Sequence, residues 1–288
     1  MFSSLKLGRL FGIDLYIHPT FWLLPLFVVM SGGGASAGEL TSEVLFVFAL
    51  FACVALHEFG HALAAASYGI RTRDITLYPV GGVASLEGMP EKPGQEIVVA
   101  LAGPAVNVVI AVGLVLGLSA GGLGLPWERM SDPIEAFVNR LLVANVFLVL
   151  FNLLPAFPMD GGRVLRALLA TQMTRLRATE VAVTVGTVVA VLFFVGGLMI
   201  PQFSLMAIAV VVWLMGQSEL ASLRVLAARR EMERRARAFF GEPEPAPEYP
   251  GDANVDLAAR RFTGIAWDTV HGVWIQWVNG VPVRALSR

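Results

Sequence analysis

Residues Val44 to Ala66 read VLFVFALFACVALHEFGHALAAA, an apolar run long enough to cross a bilayer with His57-Glu58-Phe59-Gly60-His61 near its end. In a helix, side chains four residues apart share a face, one turn above the other, so His57 and His61 can converge on one metal ion. Glu58 follows the first of them, where its carboxylate can take a proton from a water polarised by that metal. Ionisable groups inside a bilayer are expensive and mark functional sites by default. The run therefore reads as a membrane helix carrying a metal site.

Composition agrees with the membrane setting. The chain has 288 residues, 56% hydrophobic and 15% charged, with a mean hydropathy of +0.69, outside the usual balance of a soluble domain. Net charge is −1, so no basic field points to nucleic acid as a partner. The single cysteine, Cys53, reads as a small buried hydrophobe. Met1 to Gly12 carries Lys6 and Arg9 without a clear cleavage site after the next apolar run, which is expected to be a retained span.

The expected fold is an all-α polytopic membrane protein of about six transmembrane helices. The spans are placed at roughly Leu15–Met30, Glu43–Ser67, Ile97–Leu118, Ile134–Leu154, Glu180–Ile200 and Ser204–Leu223. Basic residues fall in alternate connections: Lys6 and Arg9; Arg71, Arg73 and Lys92; Arg163, Arg166, Arg175 and Arg177; then Arg224 through Arg237. The other connections hold only Arg129. Because cytoplasmic loops collect Lys and Arg, both termini are expected in the cytoplasm and the protein in an inner or plasma membrane. His57 then lies about ten residues before the cytoplasmic end of its span, roughly 15 Å deep at helical rise.

Between spans two and three, Asp74 to Leu86 is β-branched around Pro79-Val80-Gly81-Gly82-Val83 and reads as a hairpin or a small sheet. An open edge there can pair with an extended peptide by strand addition, or the segment is a surface hairpin with no ligand. Within span three, Asn107 after Ala102-Gly103-Pro104 reads as packing glue between helices. Span four runs out through Asn152 into Pro155-Ala156-Phe157-Pro158-Met159-Asp160-Gly161-Gly162, a bent segment on the same side as the histidines. Val164 to Arg177 reads as an amphipathic interfacial stretch. Past span six come a basic helix, a Pro- and Glu-rich linker and a Trp-rich tail with a hairpin signal at Val278-Asn279-Gly280-Val281. The expected domains are a membrane domain over 1–223, helix and linker over 224–256, and a β-like cytoplasmic tail over 257–288.

A catalytic zinc takes three protein ligands and keeps one position open. With His57 and His61 as two, the candidates for the third are His18, Asp160 or a loop carboxylate, and Asp160 is preferred for its bent backbone and matching depth. His18, beside Pro19, reads as an interfacial anchor or lining group. Zinc so held implies metal-assisted amide hydrolysis, with Glu58 moving the proton and Asn152 donating to the developing oxyanion.

These residues resemble the site-2 protease family of intramembrane metalloproteases, over roughly Gly12 to Arg166. The likeness is carried by Ile17-His18-Pro19, His57-Glu58-Phe59-Gly60-His61, Val80-Gly81-Gly82-Val83-Ala84, Ala102-Gly103-Pro104 with Asn107, and Asn152 through Asp160-Gly161-Gly162-Arg163. The resemblance implies Zn2+ on His57, His61 and Asp160, Glu58 as general base, Asn152 near the reacting carbonyl and the Gly81-Gly82 strand as a substrate clamp. It also implies membrane-protein substrates with a transmembrane segment, and the lipid bilayer as surroundings. Two other classes compete: a non-catalytic scaffold that binds membrane helices, and a membrane zinc carrier.

Overall fold

The computed structural model describes residues 4–34, 36–88, 90, 92–120, 133–200, 202–240, 263–268, 273–278 and 281–286. The chain divides into two compact units, Met1–Arg229 and Arg230–Arg288.

The first unit opens with strands β1 (Leu5–Leu10) and β2 (Ile13–Ile17), joined at Phe11-Gly12. Both turn residues have positive φ, 51° and 82°, as a two-residue hairpin turn requires. A 3-10 turn, Pro19–Trp22, leads into α1 (Leu23–Ser31), and α2 follows over Ala37–Ser67. Then come β3 (Thr72–Tyr78), β4 (Gly81–Leu86), α3 (Pro93–Ala120), α4 (Pro133–Asn152), α5 (Asp160–Leu169), α6 (Arg175–Met199) and α7 (Phe203–Phe240). Five of these helices, α2, α3, α4, α6 and α7, are long and apolar enough to cross a membrane.

The first expected span, Leu15–Met30, takes a different form. Its opening residues belong to β2, which pairs in parallel with β3 from Asp14↔Asp74 to Ile17↔Leu77. What remains is the apolar helical stretch Pro19–Ser31, roughly 20 Å at helical rise and short of a hydrocarbon core of about 30 Å. The β3–β4 hairpin expected between the second and third helices is part of a larger sheet, ordered β1-β2-β3-β4. Val164 to Arg177 is likewise not one interfacial helix: α5 ends at Leu169 and α6 begins at Arg175. The basic stretch after the last span continues α7 without a break.

The sheet packs on one face of α2. Phe51 and Ala55 join Ile17, Phe21 and Leu77 in one cluster, and Phe59 and Ala62 join Ile13 and Ile75 in a second. A capping box starts α2, with Glu39 N donating to Ser36 Oγ at 3.3 Å and Ser36 N donating to Glu39 Oε2 at 2.7 Å. Apolar burial against the sheet thus fixes the rotation of α2, and its histidine face is left to point at α3.

In the second unit, β5 (Gly264–Asp268), β6 (Val273–Val278) and β7 (Val281–Leu286) form an antiparallel meander. Trp267 stands opposite Trp274, edge to face at 5.3 Å. The Pro- and Glu-rich linker, the Asn279-Gly280 turn, Arg129 and His271 lie outside the described residues.

Candidate active site

Helix α2 brings His57 and His61 together, and the first turn of α5 brings Asp160 to them. His57 Nε2 lies 3.0 Å from His61 Nε2 and 3.1 Å from Asp160 Oδ2, and His61 Nε2 lies 3.2 Å from the same oxygen. All three residues are buried, at 5%, 4% and 6% exposure. The outward nitrogens are committed elsewhere: His57 Nδ1 meets Asn107 Oδ1 at 2.6 Å and His61 Nδ1 meets the Val99 carbonyl at 2.7 Å. A carbonyl only accepts, so the proton of neutral His61 sits on Nδ1 and its Nε2 presents a lone pair.

Backbone contact makes this cluster possible. A β-carbon at Gly103 would stand 2.3 Å from His61 Nε2 and 2.7 Å from His57 Nε2. A β-carbon at Gly60 would stand 2.7 Å from the Ala102 carbonyl oxygen, so glycine lets α2 and α3 approach at this level. At Gly161 a β-carbon would fall on the Leu153 carbonyl oxygen, at 2.2 Å. The turn Leu153–Met159 folds back over the start of α5 and delivers Asp160 into the site.

A buried arginine locks α5 in place. Arg166, 1% exposed, donates from Nε to Glu96 Oε1 of α3 at 2.8 Å and from Nη1 to Glu219 Oε1 of α7 at 2.6 Å. Its guanidinium also sits 5.0 Å from the Phe157 ring. Arg175 Nη2 reaches the second oxygen of Glu96 at 3.2 Å. Counted as loop charge in the sequence, Arg166 is instead a clasp between three helices, and only its pairing explains how it is buried.

The remaining expected residues fall as follows. Strand β4, with Gly81, Gly82 and Val83, is the edge of the sheet among the described residues. It runs beside Glu58, since a β-carbon at Gly82 would be 2.5 Å from Glu58 Cγ. Asn152 closes α4, and its amide donates to the Leu148 carbonyl at 2.9 Å. His18 lies apart from the cluster: it caps the 3-10 turn, with Nδ1 2.7 Å from Thr20 Oγ1, and stacks on Tyr78 at 4.8 Å. Asn107, expected to be packing glue, touches a cluster histidine directly. Its amide signals a polar partner at that depth, but sequence spacing does not say which one.

Three acceptor atoms within 3.2 Å of one another, with no donor required between them, call for a cation. Their spacing approaches the roughly 3.3 Å edge of a tetrahedron built on 2.0–2.1 Å bonds, and two imidazoles with one carboxylate suit zinc. His57, His61 and Asp160 are the group of this kind among the described residues. Fold and site together define a membrane metalloprotein whose metal site sits between helices, with a glutamate and a sheet edge beside it.

Comparison with known proteins names the family. Residues 45–126 and 120–195, together just over half of the chain, match Peptidase family M50. The chain is 32% identical over 216 residues to Zinc metalloprotease MJ0392 of Methanocaldococcus jannaschii, covering 75% of this chain and 60% of that protein. It is 38% identical over 176 residues to Putative zinc metalloprotease sll0528 of Synechocystis sp., covering 58% of this chain and 45% of that one. The solved Site-2 Protease from Methanocaldococcus jannaschii superposes with a TM-score of 0.56 at 29% identity, covering 76% of this chain and 95% of that one. The chain belongs to Peptidase family M50, the site-2 protease family of zinc metalloproteases.

Proposed function

We propose that the protein is an intramembrane zinc endopeptidase that hydrolyses peptide bonds in or near transmembrane segments of other membrane proteins. The observation that carries this reading is the meeting of His57, His61 and Asp160 at 3.0–3.2 Å on a long apolar helix, with Glu58 against the sheet edge. His57, His61 and Asp160 hold the metal. Zinc held there would supply Lewis acidity. Glu58 takes the proton of the attacking water and hands it to the leaving amine. Asn152 donates to the developing oxyanion once its amide turns away from Leu148. A substrate helix must unwind to expose its amide, and Gly81, Gly82 and Val83 hold the unwound segment as an added strand.

The same reading places both termini in the cytoplasm of a plasma or inner membrane, with six crossings. Pairing of β2 with β3 supports the count. Ile13 packs beside Phe59 and Ala62, and Ile17 and Phe21 beside Phe51 and Ala55, so if α2 crosses, β2 and α1 together run back along its depth. The membrane domain covers 1–223, followed by the 224–256 helix and linker and the 257–288 tail.

Co-expression with a library of tagged single-span proteins tests the function. Products formed with wild type and absent with Glu58→Gln support the protease and identify the bond. No cleavage with zinc bound supports the scaffold, and zinc flux into liposomes that survives Glu58→Gln supports the carrier.

A further inference from the structure

Behind His57 runs a line of buried amides that the chemistry above leaves unused. Asn107 and Asn145 are both 0% exposed, and a buried polar side chain is tolerated in a membrane helix when it is bonded. We infer that Asn145, acting through Asn107, is a positioning residue that fixes which nitrogen of His57 faces the metal.

The direction of the line is set at its far end. The Leu141 carbonyl can only accept, so the Asn145 atom 2.8 Å from it is the amide nitrogen. That same nitrogen faces Cys53 Sγ at 3.4 Å. The Asn145 oxygen must therefore face Asn107, whose amide nitrogen donates to it at 2.9 Å. The Asn107 oxygen is then turned to His57 Nδ1, 2.6 Å away. An amide oxygen accepts, so Nδ1 carries the proton and Nε2 is left bare towards His61 and Asp160.

His61 reaches the same state by another route, through the Val99 carbonyl. Backbone holds one ligand, and side chains hold the other. In water a neutral histidine favours the proton on Nε2, so His57 needs this line to stay in its binding form. Without the Asn145 oxygen, the Asn107 amide is free to turn over and offer its NH2 group to Nδ1. The proton of His57 then belongs on Nε2, between the ligand atoms, where it competes with the ion. Groups behind a ligand histidine typically change metal affinity by about 10–100-fold.

The proposal rests on the zinc reading above. Its test is zinc affinity of the full chain in detergent, measured by chelator competition for wild type, Asn145→Leu and Asn145→Asp. Asn145→Leu is expected to bind zinc about 10–100-fold more weakly. Asn145→Asp is expected to recover most of that affinity, because a buried neutral carboxyl can donate to Leu141 and accept from Asn107. A second measurement uses the zinc-loaded wild type: 15N spectra of the histidine-labelled full chain should show both ligand histidines bound through Nε2 with their protons on Nδ1. Wild-type affinity in Asn145→Leu, or zinc bound through a histidine Nδ1, overturns the inference and leaves the zinc reading standing. A wild type that binds no zinc overturns both.

Discussion

Gly82 of β4 lies against Glu58 of α2 so closely that a β-carbon on the glycine would stand 2.5 Å from Glu58 Cγ and 3.2 Å from Oε1. In the proposed mechanism, the edge that holds the peptide and the carboxylate that moves the proton therefore form one surface. Gly82→Ala must push either the strand or the carboxylate, and a misplacement of about 1 Å can cost on the order of 100-fold in rate. Peptide hydrolysis is expected to fall by that order while zinc content stays at the wild-type level. Gly94→Ala, where a β-carbon meets nothing within 4 Å, is expected to leave the rate unchanged.

Gly103 stands to the two histidines as Gly82 stands to Glu58. With a β-carbon 2.3 Å from His61 Nε2, Gly103→Ala is expected to abolish stoichiometric zinc binding, read by elemental analysis of the purified protein. Gly113→Ala on the same helix, with nothing within 4 Å, should keep its zinc. Loss of zinc in both would mean that α3 tolerates no added methyl anywhere, and the contact with His61 would explain nothing.

Much of this site was legible because its parts carry period and chemistry together. His57 and His61 announce one helical face, and the Pro155-to-Gly162 bend announces the segment that brings Asp160 inward. The N-terminal strands were not legible: Lys6 and Arg9 read as cytoplasmic charge before the first span, yet Lys6 pairs with Asp14 at 2.7 Å across the β1–β2 hairpin. The signal that was there was Phe11-Gly12, a turn between two alternating runs. Arg166 was misread for a related reason. Its burial depends on Glu96 and Glu219, 70 and 53 residues away, and no local pattern reports such a partner.

Removing that partner should be costly. Arg166→Leu strands Glu219 and leaves Glu96, 7% exposed, to Arg175 alone. Breaking a buried pair from one side typically destabilises by about 3–5 kcal/mol. The residual Arg175 contact puts the expected loss near the lower end, about 3 kcal/mol, measured by unfolding in mixed micelles. The double change Arg166→Met with Glu96→Leu should lose less than Arg166→Leu, since Glu96 no longer remains as a buried charge.

A smaller effect follows from pH at the sheet. Burial pushes the Asp74 carboxyl up, but hydrogen bonds from Arg73 and Ser85 outweigh it and hold the group below its ordinary value. A carboxyl depressed in the folded state adds stability above its unfolded pKa of about 3.9, and that stability is lost as pH falls through the folded value. Acid titration of stability should therefore show a limb below about pH 4 that is reduced in Asp74→Asn. An unchanged limb in that variant would assign the acid sensitivity elsewhere.

The proposed site has one zinc ion shared by His57, His61 and Asp160. X-ray absorption at the zinc edge of the purified full chain measures this directly. The expected result is one zinc per chain bound by two imidazole nitrogens, with oxygen completing the site at about 2.0–2.2 Å. No bound zinc, a third imidazole, or a sulfur ligand from Cys53 would contradict it.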